Sequence, residues 1–149
     1  MSKLVIVDLD GTIANIDHRL HYIKQDKPDW DSFYAACSQD TPNVGVVEWL
    51  RAINEDPNYE IYIVSARRAS TLWDTHEWLI FYDVPYQHLH IVRDYKDFRP
   101  DDVLKSEFLD SILRDGFEIA FVIDDRPTVC AMWREHGLKV FPVNQDKWA

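Results

Sequence analysis

Residues 4–7, Leu-Val-Ile-Val, run straight into Asp8-Leu9-Asp10-Gly11-Thr12, so an element with no polar face ends in two carboxylates and a glycine turn. A strand apolar on both faces must be covered on both, which is the situation of a parallel sheet between helical layers. Such sheets bind ligands at the carboxyl ends of their strands. Residues two apart in a strand point to the same side, and the spacing therefore directs Asp8 and Asp10 toward one small volume. Like charges held that close repel, which calls for a cation between them or a proton kept on one carboxyl. Asp and Gly also favour turns, so a capped turn is the plainer alternative for this segment taken alone.

Further apolar runs fall at 61–64, 91–92, 119–123 and 140–143, with amphipathic stretches at 44–53, 72–81, 103–113 and 129–134 between them. This alternation predicts one α/β domain over residues 1–149, a three-layer Rossmann-like fold with a central parallel sheet and helices on both faces. The interval from Ile13 to about Pro42 is too long for a plain connection. Pro28-Asp29-Trp30-Asp31 reads as a helix start leading into Trp30, Phe33, Tyr34 and Cys37, which predicts a small cap inserted after strand 1. A packing excursion that covers a sheet edge is the competing reading.

With 16 Lys and Arg against 26 Asp and Glu, the net charge of -10 opposes long-range attraction to polyanions but leaves room for a local basic pocket. No apolar run approaches membrane-spanning length and no export signal opens the chain, so no membrane partner and a cytoplasmic address are expected. Cys37 and Cys130 stand far apart in no metal-binding spacing, as reduced structural thiols would.

Three more polar groups fall at element boundaries. After Ile63-Val64 come Ser65-Ala66-Arg67, where a hydroxyl and backbone N–H groups could hold phosphate oxygens, although a serine there is also an ordinary turn or cap residue. Asp101 and Lys105 are four apart at a predicted helix start, an ion pair that would aim the lysine or a surface pair of little consequence. The run 119–123 ends in Asp124-Asp125-Arg126, repeating the logic of the first strand. Carboxylates from two strand ends form an oxygen-only site suited to Mg2+ rather than zinc or copper. His88 with His90, and His18 with His21, have pairwise ligand spacing but no third partner nearby in sequence. Met132 and Trp133 read as core.

The ordered set of acidic pair, serine, lysine and acidic pair resembles the four motifs of the haloacid dehalogenase (HAD) superfamily of aspartate-based phosphotransferases, matched here by DLDGT, the serine of IVSAR, Lys105 and IDDR. More closely, VIDDRPTVCAMWREHGLKVFPV, preceded by RPDDVLK and accompanied by Arg19 and Arg67, is similar to the 3′-phosphatase domain of bacteriophage polynucleotide kinase-phosphatases. That resemblance implies Asp8 as nucleophile, forming an aspartyl-phosphate, and Asp10 as general acid and then base. It implies Mg2+ held by Asp8, the Asp10 carbonyl and Asp124, with Asp125 as ligand or support. Ser65, Ala66 and Lys105 would hold the phosphoryl oxygens, Arg19 and Arg67 the phosphate or neighbouring nucleotide, and Asp101 would position Lys105. Gly11, Thr12 and Arg126 would support the site.

The implied substrate is a 3′-phosphorylated nucleic-acid end, with a nucleotidase for free mononucleotides as the alternative. Two departures stand out. Ala66 replaces the usual glycine, which is harmless only if that residue needs no positive φ. No GxxxxGK[ST] segment is present, so a kinase or ligase would be a separate partner. A receiver-type signalling module also uses an acidic cluster, a hydroxyl and a lysine, but it places its acceptor aspartate on a middle strand, contrary to the order here.

Overall fold

A computed structural model describes residues 2–148. Seven strands and five α-helices follow one another as β1 (Lys3–Asp8), β2 (Ala14–Asn15), α1 (Trp30–Ala35), β3 (Thr41–Pro42), α2 (Val44–Asn54), β4 (Tyr59–Arg68), α3 (Leu72–Phe81), β5 (His88–Arg93), α4 (Asp101–Arg114), β6 (Ile119–Asp124), α5 (Pro127–Glu135) and β7 (Val140–Pro142). The main sheet has the order β5-β4-β1-β6-β7, with every neighbouring pair parallel. Each expected strand and each expected crossover helix is present.

The period of two in β1 explains why its apolar run is continuous. Val5 and Val7 pack with Val47 and Leu50 of α2 and Leu79 of α3, while Leu4 and Ile6 pack with Leu109 of α4 and Trp133 of α5 on the other face. A polar residue at any of these positions would lie inside one helical layer. Chain order reverses around β1, since β4 continues the sheet on one side and β6 on the other. The crevice at such a reversal lies between the carboxyl ends of β4, β1 and β6. Register sets Asp8 beside Val64 and Val7 beside Ile123, so Ser65 and Asp124 flank Asp8 on the two neighbouring strands.

Residues 13–42 form a small insertion over that edge. Its base is the two-stranded antiparallel β2–β3 pair, and α1 begins where expected because Asp29 caps it, accepting from the Ser32 amide at 3.0 Å. Ile16, Phe33 and Tyr34 make its own small core with Leu20, Tyr22 and Ile23 against them. Cys37 and Cys130 are both free and buried, and burial pushes the Cys130 thiol up to about 12. No helix of the described residues is long and apolar enough to cross a membrane.

Candidate active site

Asp8 closes β1 on the same face as Leu4 and Ile6, so its carboxylate meets side chains from α4 and the β6 end. Lys105 Nζ donates to Asp8 Oδ1 at 2.6 Å and to Asp124 Oδ2 at 3.2 Å. Thr12 Oγ1 lies 2.9 Å from Asp8 Oδ2 and 3.2 Å from Asp125 Oδ1, tying the first strand end to the β6 end. Asp124 is the most firmly held of the acids: its Oδ1 accepts from the amides of Asp125 and Arg126, and its Oδ2 accepts from Trp133 Nε1 at 3.1 Å.

Asp8, Asp124 and Asp125 each place a carboxylate oxygen within 4.8 Å of the others, and all three residues are buried. Burial, and after it the charge of Asp124, raise the Asp8 carboxyl well above the usual range; Lys105 offsets this only in part. Lys105 is held in its charged form: burial opposes the charge, but Asp124 and Asp8 outweigh it. Three convergent buried oxygens left with excess negative charge are the donor set of a hard divalent cation, so the residues fit Mg2+. Histidines do not enter this group. His18 lies against Asp40, and His88 stacks on Tyr62 with Nε2 3.4 Å from Glu60.

Gly11 shows why the motif needs a glycine. Its φ is +82°, and a Cβ there would fall 2.0 Å from Asp125 Oδ2. The turn is held by Leu9, whose carbonyl accepts the amides of Ile13 and Ala14 at 2.9 Å each, and by Asn144, which donates to the Gly11 carbonyl at 3.0 Å.

Asp10 departs from the expected side-chain pairing with Asp8. The strand ends at Asp8, and the turn sends the Asp10 carboxylate toward Arg67 Nε at 2.8 Å and Arg19 Nη2 at 2.9 Å, both on Oδ1. Burial alone would raise its carboxyl, but Arg67 and then Arg19 more than offset this and hold it below the ordinary value. The repulsion expected between Asp8 and Asp10 therefore falls between Asp8 and the β6 acids instead. Asp10 side-chain oxygens are not part of the three-carboxylate group, while both aspartates line the same cleft.

Both arginines converge on Asp10. Arg19 is fully buried, lies over the Phe33 ring at 4.4 Å, and bonds Asp40 through Nε and Nη2 at 2.8 Å each. Arg67 reaches Asp40 Oδ2 at 3.0 Å and Thr75 Oγ1 at 2.9 Å. Asp40 was not legible as a site residue. It sits in an Asp-Thr-Pro stretch that reads as the end of the insertion, and nothing local indicates that it will be buried between two guanidiniums.

Two expectations need correction. Ser65 does not lie on a turn after its strand: β4 continues to Arg68, with a shift in register against β5 between Ser65 and Arg68. Ser65 Oγ accepts from the Arg67 amide at 3.1 Å, and Ala66 does not have a positive φ, so alanine satisfies the backbone there. Nor does Asp101 contact Lys105. Its two oxygens accept from Arg93 and Arg126 at 2.7 Å each, because Lys105 is drawn inward by Asp8 and Asp124; Asp101 acts on the lysine only through its field. Arg93, unremarkable in the sequence, also donates to the Ala66 carbonyl and to two carbonyls of the loop before α4.

The sequence profile of the polynucleotide kinase PNKP phosphatase domain matches residues 2–148. A protein of Autographa californica nuclear polyhedrosis virus, named as a bifunctional polynucleotide kinase/RNA ligase, is 27% identical over 146 residues, covering 97% of this chain and 20% of its own. The solved Pnkp1/Rnl/Hen1 RNA repair complex contains a chain 29% identical with a TM-score of 0.82, aligned over 96% of this chain and 42% of that one. The class C acid phosphatase of Bacillus anthracis shares the fold at 16% identity and a TM-score of 0.65, over 97% of this chain and 68% of its own. This chain thus spans from a fifth to less than half the length of its kinase-associated relatives. The motif order, the three-carboxylate cleft and the profile agree: the chain belongs to the PNKP phosphatase-domain family of HAD-type phosphatases, a group of phosphoric monoester hydrolases.

Proposed function

We propose that this domain is an Mg2+-dependent phosphatase that removes 3′-phosphate from nucleic-acid ends through an aspartyl-phosphate on Asp8. The observation that carries the reading is the contact of Lys105 with both Asp8 and Asp124, which joins three motifs of the family in one buried cluster. Asp8, Asp124 and Asp125 would hold the ion, which when bound neutralises charge between the nucleophile and the phosphoryl oxygens.

In the first step an Asp8 oxygen forms a bond to phosphorus, the ester P–O bond breaks, and Asp10 gives a proton to the departing hydroxyl. In the free enzyme Asp10 is a carboxylate because two guanidiniums face it, so it takes up a proton from solvent as substrate binds, and that is the proton it delivers. A phosphate dianion entering beside Arg19 and Arg67 takes up part of their field and raises Asp10's affinity for the proton it must deliver. In the second step Asp10 removes a proton from water as the water oxygen attacks phosphorus. The bond to Asp8 then breaks, returning its carboxylate and inorganic phosphate. Lys105 and Ser65 steady the phosphoryl oxygens throughout.

A kinase or ligase acting with this domain, on another segment or another chain, is consistent with the relatives' company, and the buried free thiols suit a cytoplasmic setting. Phosphate release from a 3′-phosphorylated oligonucleotide, compared with 3′- and 5′-mononucleotides in the presence of Mg2+, tests the proposal. Preference for the oligonucleotide, abolished by EDTA and inhibited by Ca2+, is expected. Turnover of mononucleotides alone would replace this reading with a nucleotidase, and turnover without divalent metal would remove the assigned cation.

A further inference from the structure

The cleft that holds the carboxylates has a volume of about 520 Å3, the size of a nucleotide-class ligand rather than of a phosphate group. Two large aromatic residues that line it, Trp30 and Phe98, keep part or most of their surface in solvent. Trp30, at the start of α1, is 38% exposed and stands outside the insertion's own core, edge-on to Phe33 and stacked on Tyr34 with ring centroids 6.0 Å apart. Phe98, in the loop before α4, is 73% exposed and belongs to none of the core clusters. Aromatic surface left in water forfeits burial energy, and both residues line the same cleft.

The loop bearing Phe98 is nonetheless tightly fixed. Arg93 Nη1 donates to the carbonyls on either side of it, Asp97 at 2.8 Å and Arg99 at 2.7 Å, and the Asp97 carboxylate in turn accepts the Arg99 amide at 3.1 Å. The same guanidinium reaches the Ala66 carbonyl beside Ser65 and the Asp101 carboxylate on the helix that carries Lys105. One buried arginine thus fixes the backbone on either side of Phe98 relative to the groups that surround the phosphate. An aromatic presented to solvent from a fixed backbone is suited to stacking, since no loop ordering is required when a flat ligand covers it.

Resting on the phosphatase reading above, we infer that Trp30 and Phe98 form a stacking subsite for the base of the terminal nucleotide, so that the domain selects base-bearing 3′-phosphate ends over abasic ones. The test is steady-state kinetics of the full chain with Mg2+ on one oligonucleotide in two forms, ending in a base-bearing or an abasic 3′-phosphate. A KM roughly tenfold lower for the base-bearing end is expected in the wild type, the scale of one base–aromatic stack. In Phe98→Ala and Trp30→Ala that ratio should fall toward one, and Phe98→Tyr should keep it. Phe98 is largely exposed, so Phe98→Ala should melt as the wild type does; Trp30 also packs on Phe33 and Tyr34, so for Trp30→Ala a cooperative melt above the assay temperature shows that the fold is retained. Equal KM for the two ends in the wild type, or a ratio that survives both alanine substitutions, overturns the subsite while leaving the phosphatase reading in place. Absence of turnover on both ends would instead strike that reading itself.

Discussion

Asp8 and Asp124 meet at the ammonium of Lys105, with the Asp125 carboxylate beside them, whereas a few residues away Asp10 and Asp40 share the guanidiniums of Arg19 and Arg67. The first group keeps an excess of negative charge, seen in the raised carboxyl of Asp8; the second balances itself, seen in the lowered carboxyl of Asp10. Two aspartates separated by one residue are thus placed in opposite electrostatic settings. The unbalanced group gains from an added cation, while the balanced group is already rigid and can orient an incoming phosphate and the proton donor without one.

The sharpest break of this contrast is Asp8→Asn. Turnover should fall at least about a thousandfold, as for loss of a covalent nucleophile. Stability without metal should move the other way. A carboxyl raised in the fold favours folding below its ordinary pKa of 3.8 and loses that advantage as pH rises through the raised value. Melting in EDTA should therefore show the variant gaining on the wild type as pH rises above 3.8. Added Mg2+ should stabilise the wild type more than the variant.

Asp40→Asn probes the balanced side. It leaves two buried guanidiniums under-compensated, so melting temperature should fall, and kcat/KM should drop roughly 10- to 100-fold as Arg19 and Arg67 lose their anchor. Loss of stability with no change in kcat/KM would reduce Asp40 to a purely structural role.

Gly11→Ala perturbs the hinge between the two groups. Its φ of +82° disfavours any side chain by about 1–2 kcal/mol, and the new methyl would displace the Asp125 carboxylate. The Mg2+ concentration needed for half-maximal turnover should rise several-fold, with a smaller change in KM for substrate.

The smallest expected effect lies away from the cleft. His90 packs against Phe108, and burial lowers its imidazole pKa from 6.5. Its contribution to stability is present above that value and fades as pH falls through the lowered one. His90→Gln should flatten the decline in melting temperature below pH 6.5 without altering activity at neutral pH.

What the sequence disclosed follows the range over which each interaction acts. Strands, helices and the acidic strand ends were readable because apolar periodicity and the DLDGT and IDDR segments are local patterns. Asp40 and Arg93 were not, since each works by bringing together residues distant in the chain: Asp40 joins Arg19 to Arg67, and Arg93 joins β4 at Ala66 to the loop before α4. Trp133 was read as core and is core, but its ring N–H also holds Asp124, a second role that periodicity does not encode. The expected pairing of Asp101 with Lys105 failed for a related reason. A helix spacing of four offers an exposed contact, and two buried carboxylates offered the lysine a stronger one.

Acid quench of the enzyme during turnover of a 3′-phosphorylated oligonucleotide, followed by mass spectrometry of the amino-terminal peptide, examines the chemistry assigned to Asp8. A peptide heavier by one phosphoryl group at Asp8, in the wild type and absent from Asp8→Asn, is the expected result. Turnover with no phosphorylated Asp8 at any quench time, in folded and Mg2+-loaded protein, would contradict it.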